Sequence, residues 1–159
     1  MTDILQCMDK ITQGVYLIGT KFADTCNFMT AAFVTQISFN PCSLAISLDK
    51  SRFTAELIRE NGYFSLAVLS DQQQLEAKKC GYQSGRTVDK DERVEHHLAA
   101  HGLPIVAEAT ANMLCKVKQI VPYEDHVIFI AEILAGEYTD KKAMVYVSED
   151  FFPTEKVEK

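Results

Sequence analysis

Short apolar stretches bounded by turn residues run along most of this chain, whereas long amphipathic patterns of helical period are few. In residues 43–48 the large Leu44, Ile46 and Leu48 alternate with small residues, which is typical of a strand with one face in a core. The other predicted strands are residues 14–20, 28–39, 63–69, 113–121, 127–134 and 144–147. Because strands outnumber helices and few helices could connect parallel neighbours, the pattern predicts a mainly β fold, an antiparallel barrel with a few helices outside it.

Few stretches carry the signals of a helix. Residues 53–61 place apolar side chains on one face and end at the Asn61-Gly62 stop signal. Residues 71–80 are predicted as a second helix, with Asp71 as its cap. A third helix is predicted over residues 92–100, within a polar middle region that has few core residues.

The composition limits the class of protein. A chain of 159 residues fits a single domain, residues 1–159, which can bury its own core. The formal net charge of −6 argues against duplex nucleic acid or an anionic membrane surface as the main partner, because both require broad basic faces. No apolar run is long enough for a membrane span, and the N-terminus lacks a secretory signal pattern. The five cysteines are widely spaced without a CxxC pair, which indicates reduced thiols in a cytoplasmic protein.

Residues 47–54, SLDKSRFT, gather cations and hydroxyls where a predicted strand leads into a predicted helix. Ser51 and Thr54 stand on either side of the expected helix start, and Lys50 and Arg52 add positive charge. Unpaired N–H groups at a helix N-terminus, hydroxyls and a guanidinium together suit a phosphate. An ordinary helix cap flanked by solvated basic residues explains the same pattern, so both interpretations stay open.

Residues 27–38, NFMTAAFVTQIS, place small side chains in an extended segment. Small residues let a flat ligand lie against the backbone, whose N–H and C=O groups can bond to its polar edge. A plain half-buried strand is the alternative, and this stretch alone does not favour the ligand.

Taken together, in this order and at this separation, the two stretches resemble the flavin reductase-like, FMN-binding split-barrel family. The matching pieces are Asn27-x-Met29-Thr30-Ala31, Ile37-Ser38-x-Asn40-Pro41, Ile46-Ser47-Leu48-x-Lys50-Ser51-x-x-Thr54, residues 62–69, Ser84-Gly85 with Asp89-Lys90, Leu103-Pro104-Ile105 and Asp125-His126. The resemblance covers about residues 10–150 and implies a Greek-key antiparallel split barrel with flanking helices.

The resemblance also implies which residues hold the cofactor. Those expected to line the isoalloxazine are Met29, Thr30, Ala31 and Ala32. Those expected to hold the ribityl phosphate are Ser47, Lys50, Ser51, Arg52 and Thr54, with Lys90 reaching the same region. Asn27 and Leu48, which stand within the matching motifs, complete the predicted cofactor-binding set. His126 is expected near the nicotinamide side.

The function implied by the resemblance is that of an FMN-dependent oxidoreductase of the flavin reductase type. It would take hydride from NADH or NADPH and pass electrons to a free flavin or another acceptor; FAD is less expected than FMN as the bound cofactor. One alternative is an FMN-binding electron carrier that a partner protein reduces and that has no nicotinamide site. Another is a barrel that binds no cofactor.

The resemblance further implies a homodimer with FMN near the subunit boundary. The segments expected to cover the flavin are the Phe151-Phe152 pair and the polar loop 84–90, since neither has an obvious partner within its own chain.

A metal site is not predicted. In residues 96–101, HHLAAH, the side chains of His97 and His101 would lie one turn apart on a helix. No third ligand is evident nearby in the sequence, a polar helix face explains the run equally well, and zinc requires three or four ligands.

Overall fold

The structure is a computed structural model and describes residues 3–152. Its strands are β1 (Tyr16–Phe22), β2 (Thr25–Ala31), β3 (Val34–Phe39), β4 (Cys42–Asp49), β5 (Tyr63–Val68), β6 (His96–Leu98), β7 (Pro104–Val106), β8 (Ala111–Tyr123) and β9 (His126–Tyr138). Its α-helices are α1 (Ile4–Met8), α2 (Phe53–Asn61), α3 (Gln74–Gly81) and α4 (Ser148–Phe151). Single 3₁₀ turns lie at Asp91–Arg93 and Ala100–Gly102.

Seven strands form one sheet in the order β2-β1-β5-β8-β9-β4-β3, and β6 pairs with β7 in a separate ribbon. Every pairing between these strands is antiparallel. The predicted mainly β, antiparallel fold with flanking helices is therefore confirmed.

The sheet curls but does not close. Strands β2 and β3 stand at opposite ends of the strand order, yet only Ala32 and Phe33 separate them in the chain. The two edges must therefore approach each other at residues 31–34, which we call the corner. No ladder joins β2 to β3 among residues 3–152, so the barrel is split at this point.

Both faces of β1 are buried. Ile18 packs inside the barrel with Phe64 and Phe129, whereas Leu17 packs on the opposite face with Phe28 and residues of α3. Complete burial of such a side chain contributes about 1.5–3 kcal/mol. The same strand thus supports the barrel core on one side and the helices and loops outside the barrel on the other.

Helix α2 spans the residues predicted for it. Its end at Gly62 is a left-handed cap, with φ of 70° and an N–H that donates to the Ile58 carbonyl at 2.9 Å. Glycine adopts this conformation at little cost, which explains why the helix ends here. Ala55 and Ile58 face the barrel core and fix α2 against it.

Several predicted elements are corrected. The stretch 28–39 is not one strand, because the chain turns at the corner and begins β3 at Val34. Helix α3 begins at Gln74 rather than near Asp71, whose N–H instead donates to the Lys142 carbonyl at 2.9 Å. Residues 144–147 form no regular strand, since one isolated bridge, from Val145 to Gly14, replaces an extended ladder there. The other predicted strands are confirmed with boundaries shifted by a few residues.

The predicted helix over residues 92–100 is wrong. Strand β6 lies within this stretch and pairs with β7, which follows it closely in the chain. His101 adopts a left-handed φ of 61°, which turns the chain back between the two strands. Pairing with β7 therefore outweighs the helical preference of the polar stretch.

The described cysteines are all free thiols, which agrees with the predicted absence of a disulfide framework. Cys26, Cys80 and Cys115 are buried, and Cys7 and Cys42 are exposed. None of the helices formed by residues 3–152 has the length and apolar character that a membrane span requires.

Candidate functional site

The corner presents small side chains and an open strand edge. Met29, Thr30 and Ala32 are half-buried, and Ala31 is buried. The Thr30 hydroxyl donates to the Ala77 carbonyl at the outer face of β2, so helix α3 holds this side chain. What Thr30 still offers to a ligand is its backbone.

The orientation of that backbone follows from its neighbours along β2. The Phe28 carbonyl accepts a 2.9 Å hydrogen bond from Lys90 Nζ, and the Cys26 N–H donates to Asp91 Oδ1 at 2.7 Å, so both point away from β1. In an antiparallel strand the direction alternates, which gives the backbone of Thr30 the same outward direction. Its N–H and C=O can therefore pair with the polar edge of a flat ligand.

The turn between β4 and α2, residues 49–52, is held by the Asp49 carboxylate. Asp49 Oδ1 accepts from the Ser51 N–H at 2.8 Å and from the Ser51 hydroxyl at 2.7 Å. These two bonds lower the pKa of Asp49. The Ser51 side chain therefore stabilises the turn and does not cap the helix.

The start of α2 has no side-chain cap. Arg52 is the N-cap residue and makes no capping hydrogen bond with its side chain, while Lys50, Ser51 and Arg52 are exposed. The ordinary-cap interpretation of SLDKSRFT accordingly fails, because neither predicted hydroxyl caps the helix. Positive charge and uncapped N–H groups meet at this helix start.

Thr54 is buried and faces β2 rather than solvent. Its hydroxyl accepts a 2.8 Å hydrogen bond from Asn27 Nδ2, which joins the first turn of α2 to the strand before the corner. Ser47 is half-buried, and its N–H donates to the Phe33 carbonyl at 2.9 Å. Leu48 is 1% exposed and its side chain belongs to the barrel core, so any contact of this residue with a ligand is through its backbone.

His126 lies beside the corner and the β4–α2 turn. It stands opposite Asp49 in the β4–β9 register, and its ring centroid is 5.9 Å from that of Phe33. The preceding Asp125 accepts from Lys50 N–H through its carbonyl at 3.1 Å, and its carboxylate is 2.8 Å from His126 Nδ1. This hydrogen bond lowers the pKa of Asp125. Three distant parts of the sequence thus meet at one end of the barrel.

A cavity of about 280 Å³ lies between β2 and the loop 84–90. It is lined by Phe22, Thr25, Cys26, Asn27 and residues 85–90. Asn27 Oδ1 is buried and has no hydrogen-bond partner among the described residues. Gly85 lies against this oxygen so closely that a Cβ at position 85 would collide with it.

The positions of Lys90 and Arg86 limit what their charges can do. Lys90 Nζ donates to the carbonyls of Phe28 and Cys80 at 2.9 Å each, so its expected reach toward a phosphate is restricted by these bonds. Burial lowers the pKa of Lys90, and the charge of Arg52 acts in the same direction. Arg86 bonds to Glu56 and lies over the ring of Phe53.

The segments expected to cover the flavin of a neighbouring subunit have partners in their own chain. Phe151 is buried and stacks on Tyr146 with centroids 5.4 Å apart, and its carbonyl accepts from the Tyr82 hydroxyl. Loop 84–90 packs on α2 and β2. The expectation that both lack such partners is wrong, because contacts distant in sequence satisfy them, although Phe152 is 65% exposed.

Sequence reasoning missed four residues of this region: Phe33, Asp49, Gly85 and Asp125. Ser84-Gly85 and Asp125-His126 were visible as motif pieces, but their contacts with the corner, β2 and the β4–α2 turn depend on the tertiary structure. His97 and His101, considered as a metal pair, do not share a helix; His101 instead stacks on Tyr63 with centroids 4.0 Å apart.

Comparison with known proteins gives related sequences and a matching fold. The putative diflavin flavoprotein A 1 of Nostoc sp. is 30% identical over 147 residues, which cover 92% of this chain and 26% of that protein. The high molecular weight rubredoxin of Moorella thermoacetica is 32% identical over 130 residues, 80% of this chain and 57% of that protein. This chain thus corresponds to only part of each relative.

Among solved structures, the flavoredoxin of Methanosarcina acetivorans superposes with a TM-score of 0.82 at 25% identity, covering 89% of this chain and 83% of that one. The family model described as "Flavin reductase like domain" matches residues 8–155, nearly the whole chain. The split barrel and this match together show that the chain belongs to the flavin reductase-like domain family.

Proposed function

We propose that this chain is an FMN-binding oxidoreductase of the flavin reductase type that uses NADH or NADPH as its electron donor. The observation that carries the proposal is the meeting of the corner, the β4–α2 turn and His126 at one end of the barrel. Membership of the flavin reductase-like family supports it.

The corner suits the isoalloxazine. Ala31 and Ala32 leave room for a flat ring beside Met29, and the outward backbone groups of Thr30 can bond to its polar edge. Because these groups belong to a strand anchored by β1 on its other side, they hold a fixed direction. The chain can thus orient the ring without a dedicated polar side chain.

The β4–α2 turn suits the phosphate. Lys50, Ser51 and Arg52 are exposed at a helix start that no side chain caps, so charge and N–H donors are both available. The Asp49 carboxylate holds the turn through Ser51 and leaves the guanidinium of Arg52 unbonded within residues 3–152.

Asn27 and Gly85 fit the chain of hydroxyls that links the ring to the phosphate. The unpartnered Oδ1 of Asn27 requires a donor, and Gly85 lets the loop lie against this amide where a side chain would collide with it. A ribityl hydroxyl is such a donor. FMN is proposed over FAD as the bound cofactor.

A bound flavin would supply the redox chemistry, as a group able to take hydride from a nicotinamide and to give electrons to an acceptor. The chain supplies orientation and shielding, and hydride transfer requires no acid or base from it. His126, whose ring is fixed by Asp125 and lies beside Phe33, stands on the side proposed for the nicotinamide.

A second candidate function is that of an FMN-binding electron carrier reduced by a partner protein. The names of the two relatives rubredoxin and flavoredoxin favour this candidate, as does the correspondence of this chain to only part of its curated relatives. Such a carrier would bind the same cofactor but have no nicotinamide site.

Two copies of the chain are proposed to pair near the corner. The edge strand β3 exposes Ile37 by 47% and Phe39 by 89%, and Phe33 at the corner is 53% exposed. An apolar edge of this kind is stabilised when a second copy covers it. FMN would then lie near the boundary between the subunits.

One experiment tests the cofactor and the donor together. The chromophore is released by heat and identified, and the protein reloaded with FMN is titrated anaerobically with NADH and with NADPH. Bleaching of the visible flavin absorption supports the oxidoreductase. An unchanged spectrum, with rapid reduction by an electron-transfer protein, supports the carrier, and a colourless protein that takes up no FMN contradicts both.

A further inference from the structure

A cluster of three metal-ligating side chains lies between β2 and the segment 91–96. Cys26 is on β2, Asp91 begins the 3₁₀ turn at Asp91–Arg93, and His96 begins β6. Their Sγ, carboxylate oxygen and imidazole nitrogen all lie within 4.8 Å of one another. Asp91 and His96 stand close together in the sequence, whereas Cys26 is 65 residues before Asp91, so only the fold brings the thiol to the other two groups.

The hydrogen bonds of His96 direct a lone pair into the cluster. Its Nδ1 is 2.7 Å from the Val94 carbonyl, and because a carbonyl only accepts, Nδ1 carries the proton in this contact. In the neutral ring Nε2 is then an acceptor, and it faces Asp91 Oδ1 at 3.4 Å. A metal-binding histidine characteristically has this arrangement, with its other ring N–H donated to a backbone carbonyl.

The distance of 3.4 Å between Nε2 and Oδ1 suits two ligands of one ion. A charge-assisted hydrogen bond between these groups would measure about 2.7–2.9 Å. A zinc ion with bonds of about 2.0–2.1 Å to nitrogen and oxygen separates them by about 3.3 Å at the tetrahedral angle. Asp91 Oδ1 also accepts from the Cys26 N–H at 2.7 Å, which positions the carboxylate and leaves it a second lone pair.

We propose that Cys26, Asp91 and His96 form a binding site for a divalent transition metal, with Zn²⁺ as the best match to one sulfur, one oxygen and one nitrogen ligand. A thiolate and a carboxylate neutralise the two charges of the ion, which suits a largely buried site. The side chain of Asp91 is 30% exposed and that of His96 12%, so an ion can enter from solvent.

Binding is coupled to loss of the thiol proton. A cysteine thiol with its ordinary pKa of about 8.5 is mostly protonated at neutral pH, whereas a metal binds the thiolate. The ion replaces this proton, forms the metal–sulfur bond and releases one H⁺ to solvent. The bound metal would tie β2 to the segment 91–96, next to Asn27 in the cavity wall, whether or not flavin is present.

The test uses the full chain as purified, with Cys7→Ser and Cys42→Ser in every sample to remove the exposed thiols. The probes are Zn²⁺ and Cd²⁺ in equilibrium dialysis with elemental analysis. Further readouts are proton release in weak buffer and the ultraviolet thiolate-to-Cd²⁺ charge-transfer band. We expect one ion per chain, about one proton released per ion, and a higher melting temperature with Zn²⁺.

Matched variants locate the site. His96→Gln and Cys26→Ala should each weaken binding by about a hundredfold or more, because two protein ligands hold zinc poorly. His97→Gln, at the exposed neighbour, and Cys80→Ala, at another buried thiol, should retain it. Circular dichroism verifies that each variant is folded. Absence of binding by the parent chain, or binding that survives His96→Gln, would overturn the proposal.

Discussion

Asn27 Nδ2 donates a 2.8 Å hydrogen bond to Thr54 Oγ1, and both residues are almost completely buried. The bond connects the strand that leads into the corner to the first turn of α2, so it sets the spacing between the two proposed halves of the flavin site. It also leaves Asn27 Oδ1 without a partner among the described residues. A site built in this way is fixed before the ligand arrives.

Removing the Thr54 hydroxyl should destabilise the protein. Thr54→Val keeps the shape but leaves the Asn27 amide N–H unsatisfied, which costs about 1–3 kcal/mol of unfolding free energy. Denaturant unfolding measures the loss. Thr35→Val, at an exposed position of β3, is the control and should change stability by less than about 0.5 kcal/mol. Equal effects of the two variants would contradict a structural role for the buried bond.

Removing the guanidinium at the start of α2 should weaken the binding of FMN but not that of riboflavin. A charge-assisted bond to phosphate is worth about 1.5–3 kcal/mol, so Arg52→Ala should loosen FMN by roughly tenfold to a hundredfold. Fluorescence titration of the apoprotein with both ligands measures this. Arg59→Ala, in the last turn of the same helix, controls for charge and should change neither affinity. Parallel losses for FMN and riboflavin would show that Arg52 does not face the phosphate.

Filling the corner should exclude the isoalloxazine. Ala32 is half-buried at this position, whereas the Ala31 side chain is packed in the core, so Ala32→Phe blocks the proposed ring site at less cost to stability. We expect a folded and largely colourless protein, by circular dichroism and visible absorption. Ala135→Phe, at an exposed position of β9, should remain yellow. A yellow Ala32→Phe protein with unchanged FMN affinity would place the flavin elsewhere.

The Asp49 carboxylate should stabilise the β4–α2 turn only while it is ionised. The hydrogen bonds from Ser51 lower its pKa in the folded state, so its contribution is fully present above the unfolded value of about 3.9 and is lost as the pH falls through the folded value. The difference in unfolding free energy between the parent and Asp49→Asn should therefore be largest near neutral pH and shrink on acidification below about pH 4. A difference that does not depend on pH would refute this account.

Charging the exposed edge strand should separate the proposed dimer. Phe39→Asp places a carboxylate on β3, and we expect light scattering coupled to size exclusion to show a monomer. Fluorescence titration should show weaker binding of FMN to this variant. Tyr138→Asp is the control, since Tyr138 is similarly exposed but lies at the far end of β9 from His126. A parent chain that is monomeric and retains FMN at micromolar concentration would contradict the dimer.

What the sequence by itself determined was local. Helix α2 and its stop at Gly62 followed from an apolar face and a residue that tolerates positive φ, and most strands followed from runs of apolar residues. The order and spacing of the matching motifs along the chain identified the family.

The tertiary structure decided which distant segments of the chain contact each other. It paired β6 with β7 in place of a helix, buried Phe151 in its own chain and held Lys90 on two carbonyls. It also placed Cys26, Asp91 and His96 side by side. These outcomes could not be predicted from the sequence, because burial and long-range hydrogen bonds depend on residues that are distant along the chain. Together these interactions outweigh local conformational preferences by several kcal/mol.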